Sequence, residues 1–407
     1  MSPPRPARAE DALLGVAPRL VAEPASVEEA VEVMKACARD RLRVGFVGGG
    51  TDLGLGAPPS GLDLVLRTGG LARVVEHQPA DQIVVAEAGL TVAALQAALA
   101  PHGQRLALDP PSPDRATLGG VVAANAWGPH RTRYGTSRDL LVGVSLVRAD
   151  GVLARGGGKV VKNVAGFDLP RLMVGSLGTL ALLATVTFRL HPLPEVDETA
   201  VLVPRDAEAA RAVVKALRDA QLEPAAVSLL LEGGRLVLAV RFEGFGPGVA
   251  AQQARLKELA VPLGVPAERL APAGAAQLWG RHAALRSEGE VRVRVAAASS
   301  ALAALVKEVV EPLSRALGGA AALEPVLGVG TVSAKAAPLD AAAAIVRARE
   351  AAARLDGTLV VAEAPGGIRT AVEPWGPPPP GIAIMRRLKA ELDPEGRLAP
   401  GRFVGGI

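Results

Sequence analysis

The sequence is poor in cysteine and in aromatic residues. Cys37 is the one cysteine among 407 residues, so the chain has no partner thiol for an internal disulfide and too few thiolates for an iron–sulfur cluster or a cysteine zinc site. We expect Cys37 to be a small core thiol on an amphipathic helix. Aromatic residues make up 2% of the chain, so alanine, valine and leucine must build most of the core.

Long apolar runs and runs of one charge are also missing. The longest apolar stretch, Leu172 to Phe188, lies between Arg171 and Arg189 and is shorter than the roughly 20 residues of a membrane-spanning helix. The net charge is +4 with dispersed lysine and arginine, which argues against a nucleic-acid partner. No apolar segment typical of a signal peptide follows the N-terminus. We therefore expect a reducing, cytoplasmic location.

A glycine-rich turn follows a short apolar strand, Arg41–Val47. Its residues are Gly48, Gly49, Gly50, Thr51 and Asp52. Bare backbone and the positive φ angles open to glycine let successive N–H groups converge on one point. Such a nest binds anions, and a diphosphate is a typical guest. Taken alone, the same pattern equally fits a tight loop between strands.

Further motifs follow in a fixed order. A proline-rich extended segment, which excludes regular structure, leads into Ala116-Thr117-Leu118-Gly119-Gly120. Next come the run Lys162–Asp168 and the turn Gly175–Leu180, and the chain closes on Asp393–Arg402. We expect Lys162 to be a structural or partner-contact residue. Each motif is weak evidence alone, and their order carries the specificity.

In this order the motifs resemble the FAD-binding family of vanillyl-alcohol oxidase and p-cresol methylhydroxylase, and more narrowly the FAD-binding subunits of bacterial glycolate oxidase. The likeness is clear over residues 24–194 and 382–402. It implies an α+β fold: a two-lobed FAD-binding domain of the p-cresol methylhydroxylase type, then an α+β cap domain with a ferredoxin-like antiparallel sheet. The element pattern after residue 200 itself predicts an antiparallel sheet with helices on one face.

The expected segments follow from these observations. They are a disordered tail (1–17), the FAD-binding domain with its two lobes (18–194), the cap domain (195–380) and a C-terminal segment that packs on the FAD domain (381–407).

The resemblance implies noncovalent FAD, because no histidine lies in or near the first glycine loop, where some relatives attach their flavin. It also assigns residues to the cofactor. Gly48, Gly49, Gly50 and Thr51 would hold the diphosphate with Asp52 beside it, Thr117, Gly119 and Gly120 would close over it, and Leu182 would meet the flavin or adenosine through its backbone. Leu177 and Ala181 stand where the family commonly has glutamate and glycine.

The function implied is oxidation of glycolate, a 2-hydroxy acid, to glyoxylate with hydride transfer to FAD. The resemblance also implies a larger flavin subunit and an iron–sulfur subunit as partners, through which the chain would be peripheral at the inner membrane if it is not free in the cytoplasm. Two alternatives stay open. The chain is a non-catalytic assembly subunit of that complex, or a stand-alone FAD-dependent D-2-hydroxyacid (D-lactate) dehydrogenase.

The sequence assigns no catalytic base. Oxidising a 2-hydroxy acid requires a base for the hydroxyl proton and a cation for the carboxylate. Related dehydrogenases supply a histidine cluster from the cap, but His282 is the one histidine of that region, and we expect no metal site. His130 is either a proton acceptor or an ordinary loop histidine. Arg131 and Arg138 either pair a carboxylate, are solvated or contact phosphate, and we expect Arg281 and His282 on a solvated helix face.

Overall fold

The computed structural model describes residues 3–159 and 166–407. The chain divides into two units: unit 1 comprises Met1–Trp127, Gly135–Leu193 and Pro377–Ile407, and unit 2 comprises Gly128–Tyr134 and Pro194–Gly376. The sequence analysis places residues 128–134 in the first domain, whereas the structure packs them with the second unit. Over the described residues, no helix is both long enough and apolar enough to cross a bilayer.

Strands and helices are interspersed along both units. The strands are β1 (Arg5–Pro6), β2 (Leu20–Ala22), β3 (Val44–Val47), β4 (Leu64–Arg67), β5 (Val74–Gln78), β6 (Ile83–Glu87), β7 (Gln104–Arg105), β8 (Leu141–Val147), β9 (Leu153–Gly157), β10 (Leu182–Arg189), β11 (His191–Pro192), β12 (Val196–Leu202), β13 (Ala226–Glu232), β14 (Arg235–Gly244), β15 (Glu268–Arg269), β16 (Val291–Ala296), β17 (Ala320–Glu324), β18 (Val329–Ala334) and β19 (Thr358–Glu363). The helices are α1 (Val27–Arg39), α2 (Val92–Leu99), α3 (Leu118–Ala124), α4 (Arg131–Tyr134), α5 (Ser137–Leu140), α6 (Leu169–Met173), α7 (Ala207–Asp219), α8 (Gly246–Ala260), α9 (Pro272–Ser287), α10 (Leu302–Ala304), α11 (Glu311–Leu317), α12 (Ala341–Arg354), α13 (Gly366–Ala371) and α14 (Ile382–Leu392), and a π-helical stretch, Leu305–Val310, joins α10 to α11.

Unit 1 contains two main sheets with helix α1 packed between them. The first has the order β1-β2-β4-β3, and the second has the order β5-β6-β10-β8-β9 and is antiparallel throughout. Strands β2, β4 and β3 are parallel, as a strand–helix–strand unit requires. The buried face of α1 packs against residues of both sheets, such as Leu64 and Ala184. This shared core fixes β3, and with it the glycine loop, beside β10.

Helix α1 begins with a side-chain cap. Ser26 is the N-cap, and its hydroxyl accepts a hydrogen bond from the Glu29 N–H at 3.2 Å. The Glu29 carboxylate accepts from the Ala25 N–H at 3.0 Å, one residue earlier than a capping box requires. Further along, Cys37 is buried in the core, and burial raises the pKa of its thiol to about 11, so it is an unreactive packing residue.

The N-terminal residues pack on unit 1, in contrast to the disordered tail expected from their composition. Strand β1 pairs with β2, and Leu13 is buried. Asp11 is also buried and forms ion pairs with Arg5 at 2.8 Å and with Arg67 at 2.7 Å. Hydrogen bonds, first from Arg5, hold the pKa of the Asp11 carboxyl well below its usual range. Arg67 lies 56 residues away in sequence, so the anchor is invisible to local patterns.

Unit 2 is built on one antiparallel sheet with the strand order β15-β12-β14-β13-β17-β18-β16-β19. One face is covered by α7, α8, α12 and the helical run from α10 to α11. Helix α9 lies on the opposite face, where Leu285 packs against Leu230 and Ala322. The expectation of helices on one face only is therefore wrong for α9.

The C-terminal segment extends the first sheet of unit 1. Leu398 forms a parallel bridge with Val44 at the start of β3, and the Val44 N–H donates to the Arg397 carbonyl at 2.8 Å. Lys389 of α14 secures the segment, because its ammonium donates to the Thr179 and Leu398 carbonyls at 2.7 and 2.9 Å. The last residues of the chain thus lie beside the strand that feeds the glycine loop.

Candidate functional site

All nine residues assigned to the cofactor line one cavity of unit 1. The cavity offers about 750 Å³ of open space, its solvent-filled mouth included. Strand β3 carries the glycine loop to one wall, the first turn of α3 forms another, and the start of β10 contributes a third. The assigned residues at its wall are Gly48, Gly49, Gly50, Thr51, Asp52, Thr117, Gly119, Gly120 and Leu182.

The glycines of the first loop are required because another segment of the chain passes directly over them. A Cβ at Gly49 would lie 1.6 Å from the Arg115 carbonyl oxygen, and a Cβ at Gly48 would lie 2.1 Å from the Thr117 hydroxyl oxygen. Both distances are far below any van der Waals contact. Gly50 has a φ of +72°, which favours glycine for a different reason. The two glycine motifs therefore touch, and this contact shapes the floor of the cavity.

The two motifs differ in what their backbones can offer a ligand. Within the described part of the chain, the N–H groups of Gly48, Gly49, Gly50 and Thr51 donate no hydrogen bond to the protein. In the second motif, by contrast, the Gly119 N–H donates to the Ala88 carbonyl at 2.7 Å, and the Gly120 N–H donates to the Thr117 hydroxyl at 3.3 Å. The first loop thus supplies the backbone donors. The second motif lets its backbone come close to a ligand because its glycines have no side chains.

Leu182 meets the cavity at the end of a strand. Its side chain packs in the core shared with α1, and its backbone pairs with Val147 of β8. On the other edge of β10, the pairing with β6 begins only at Thr185 opposite Glu87. The edge of β10 at Leu182 therefore extends beyond β6, and this exposes its backbone to the cavity.

The turn Gly175–Leu180 also reaches the cavity. This turn is one of the motifs of the resemblance, but none of its residues was assigned to the cofactor. The Gly175 and Leu177 N–H groups donate to the Val122 and Ala123 carbonyls at 2.9 Å each, so they cap the C-terminal end of α3. Ser176, Leu177 and Gly178 line the cavity. Of the neighbouring run, Lys162 lies outside the described residues.

Three further side chains with hydrogen-bond donors line the cavity and were not predicted. They are Thr68, Ser176 and Arg402, all buried. Among the lining residues that the structure describes, Asp52 is the one acid and Arg402 the one base. A signal for Arg402 was present, since the closing motif of the resemblance ends on this residue.

The residues at this cavity fit a diphosphate. Free backbone N–H groups from consecutive residues around a glycine with positive φ form the type of nest that binds phosphate oxygens. A buried guanidinium and buried hydroxyl groups add donors suited to phosphate. A Cβ at Gly48 or Gly49 would displace the segment 115–117, which forms the facing wall of the cavity. The donor set and the shape are therefore those expected of an FAD diphosphate site.

Unit 2 carries a row of polar side chains on the sheet face opposite its helical layer. His130, from the segment before α4, contacts the Glu243 carboxylate of β14 at 2.8 Å, and both side chains are buried. Arg241 also contacts Glu243, at 3.2 Å. Segment 128–134 is held on this sheet by backbone contacts too, because the Val227 N–H donates to the Thr132 hydroxyl at 3.4 Å.

His130 is therefore a buried, carboxylate-paired histidine and not an exposed loop residue. Arg138, considered as a carboxylate partner, is exposed.

The prediction that His282 lies on a solvated helix face is wrong. Its side chain is 1% exposed and contacts the fully buried Glu324 at 3.0 Å. His282 is buried because α9 packs on the sheet. In the described chain, no group of three or more histidine, cysteine or acidic residues is arranged to hold a metal ion.

Comparison with protein families identifies the domain that contains the cavity. Residues 18–157 match the family model of the FAD binding domain. This range includes the glycine loop and the second glycine motif. FAD is therefore the cofactor of this domain, which agrees with the donor set described above.

Several curated proteins are similar to part of the chain. D-lactate dehydrogenase of Archaeoglobus fulgidus is 35% identical over 210 residues, covering 50% of this chain and 47% of that protein. Glycolate oxidase subunit GlcD of Bacillus subtilis is 30% identical over 54% of this chain and 47% of that protein. Glycolate oxidase subunit GlcE of Escherichia coli is 34% identical over 43% of this chain and 47% of that protein. The matches thus span about half the length of each relative.

The fold is similar to that of a solved structure. Alkyldihydroxyacetonephosphate synthase superposes with a TM-score of 0.73 at 16% identity, covering 95% of this chain and 76% of that one. At this identity the likeness concerns the fold alone. The FAD binding domain and the partial matches to proteins named as dehydrogenases and oxidases are the similarities on which a function can be proposed.

Proposed function

We propose that this chain is the FAD-binding subunit of a glycolate oxidase or glycolate dehydrogenase complex, which oxidises glycolate to glyoxylate. The observation that carries the proposal is the convergence of nine sequence-assigned residues on one cavity with free backbone donors. FAD bound there would supply the hydride acceptor. The protein's own contribution is to bind the cofactor and orient it.

The proposed binding mode uses the two glycine motifs differently. Gly48, Gly49, Gly50 and Thr51 donate backbone hydrogen bonds to the diphosphate, while Thr117, Gly119 and Gly120 close over it without side chains in the way. Leu182 contacts the flavin or adenosine through its backbone. In this arrangement the two sheets of unit 1 are the two lobes of the FAD-binding domain, and unit 2 is the cap domain with a ferredoxin-like sheet.

A subunit role fits the redox chemistry of the chain. Electrons accepted by a flavin must pass to a further carrier or acceptor, and with Cys37 as the one thiol in the sequence this chain cannot hold an iron–sulfur cluster of its own. An iron–sulfur partner would supply that carrier, and a larger flavin subunit would complete the complex. Similarity to the glycolate oxidase subunits GlcD and GlcE supports this assembly. The complex would lie in the cytoplasm or, through its partners, at the inner membrane.

Two other functions use the same cavity. The chain would be a non-catalytic assembly subunit if it keeps FAD as a structural element only. It would be a stand-alone D-2-hydroxyacid dehydrogenase if it turns over D-lactate by itself, which similarity to the Archaeoglobus fulgidus enzyme supports. In a catalytic chain His130 is the candidate proton acceptor, because the Glu243 carboxylate 2.8 Å away orients its ring.

The test is anaerobic reduction of the flavin. The chain is loaded with an FAD analogue of shifted spectrum, so that its bleaching is distinct from that of a partner's flavin, and mixed with glycolate or D-lactate. We expect bleaching by glycolate once the partner subunits are added. Bleaching by D-lactate without partners would instead favour the stand-alone enzyme, and a flavin that stays oxidised in every mixture would favour the assembly subunit.

Substitution of His130 supplies the second arm of this experiment. His130→Asn is expected to slow bleaching by about 100-fold or more, the usual size of an acid–base contribution, with unchanged flavin content. His102→Asn, at an exposed histidine of unit 1, is the matched control and should have no effect. Equal rates in the two variants would remove His130 as the proton acceptor.

A further inference from the structure

The C-terminal segment brings a buried cation to the cavity. Arg402 is 4% exposed and lines the same cavity as the glycine loop. Its guanidinium donates to the Leu53 carbonyl at 2.9 Å, one residue beyond Asp52. The cation is therefore held at the end of the loop whose described N–H groups donate no hydrogen bond to the protein.

The position of Arg402 is fixed by its backbone as well as by its side chain. The Ala57 N–H donates to the Arg402 carbonyl at 3.0 Å, and the Arg402 N–H donates to the Ala399 carbonyl at 3.2 Å. Ala399 and Gly401 both have positive φ angles, of 41° and 83°, so the chain turns sharply just before the arginine. A guanidinium held in this way needs little further ordering when an anion arrives.

We propose that Arg402 is a diphosphate-binding residue of the FAD site, supplied by the C-terminal end of the chain. The inference deepens the proposed binding mode and rests on it. Backbone N–H groups carry only partial charges, whereas a guanidinium neutralises a full negative charge and donates in a planar fork that matches phosphate oxygens. Arg402 would keep its contact with Leu53 and turn its guanidinium toward the diphosphate.

A purely structural role makes a different prediction. If Arg402 only held the loop through the Leu53 carbonyl, its loss would lower the affinity of the cavity for every ligand by the same factor. If Arg402 contacts the diphosphate, its loss would lower the affinity for FAD and ADP but not for riboflavin or adenosine, which have no phosphate. The two roles are therefore separated by the choice of ligand.

The experiment measures the Kd of the apo chain for FAD, ADP, riboflavin and adenosine, by quenching of flavin fluorescence and by competition. Arg402→Gln is expected to raise the Kd for FAD and ADP by roughly ten- to hundredfold, as for the loss of a charge-assisted hydrogen bond. The Kd for riboflavin and adenosine should change by less than about twofold. Arg402→Gln should also reduce the salt dependence of FAD binding.

Arg397→Gln is the matched control. Arg397 is a buried arginine of the same segment that donates to the Ala149 carbonyl at 2.7 Å and is absent from the cavity lining, so its substitution should leave all four Kd values unchanged. Arg402→Met, which keeps the apolar stem, replaces the glutamine variant if that one melts early.

An equal loss for riboflavin and FAD, no loss for either, or unfolding of both Arg402 variants would overturn the proposal. A wild-type chain that binds no FAD would instead refute the proposed function itself.

Discussion

Gly49→Ala is expected to abolish FAD binding. The added Cβ would lie 1.6 Å from the Arg115 carbonyl oxygen, and no side-chain rotation can relieve a clash with backbone. The loop and the segment before α3 must then separate, which moves the N–H donors away from a common point. We expect the Kd for FAD to rise by about 100-fold or more and the free energy of unfolding to fall by about 1–3 kcal/mol.

The matched control is Gly69→Ala. A Cβ at Gly69 meets no atom within 4 Å, so both FAD affinity and stability should stay at their wild-type values. Fluorescence titration of the apo chain and urea unfolding measure the two quantities. Wild-type FAD affinity in the Gly49→Ala chain would contradict the contact between the two glycine motifs as the basis of the site.

His282→Ala is expected to destabilise unit 2 by about 3–5 kcal/mol, the usual cost of leaving a buried charged partner alone. Glu324 is fully buried, and its contact with His282 is 3.0 Å. The second carboxylate oxygen of Glu324 is buried and, within the described structure, has no hydrogen-bond partner. Loss of the imidazole therefore leaves a desolvated carboxyl group without compensation. The free energy of unfolding in urea measures the effect.

Removing both partners should be far milder than removing one. We expect the double variant His282→Leu/Glu324→Leu to recover most of the lost stability, because apolar residues of similar size replace the pair without an orphaned charge. His102→Ala, at an exposed site, should change stability by less than about 0.5 kcal/mol. A small loss for His282→Ala, or a double variant as unstable as the single one, would show that the pair is not buried as described.

The cofactor residues could be predicted because their signal is local. Each lies in a short glycine motif, and glycine has few reasons to be repeated other than positive φ angles or close approach. The sequence could not show that the two motifs press on each other. The contact between Gly49 and Arg115 joins segments far apart in the chain, and only the fold reveals that the second motif has already used its N–H groups.

The residues that sequence reasoning missed depend on distant partners. Arg402 reaches the cavity because Leu398 pairs with Val44, at the opposite end of the chain. The position of α9 on the second face of the sheet was missed, and Gly274 and Gly280 lower its local helix propensity. Burial of its apolar side against the sheet stabilises it instead, and the same burial converts His282 from an expected surface residue into a core residue.

We propose that the glycine-loop cavity holds FAD without a covalent bond. The most direct measurement is the visible spectrum of the purified chain after incubation with FAD and gel filtration, followed by denaturation and a second separation of protein from small molecules. We expect about one FAD per chain, all of it released into the small-molecule fraction. A chain that emerges colourless from gel filtration, or a flavin that stays with the denatured protein, would contradict it.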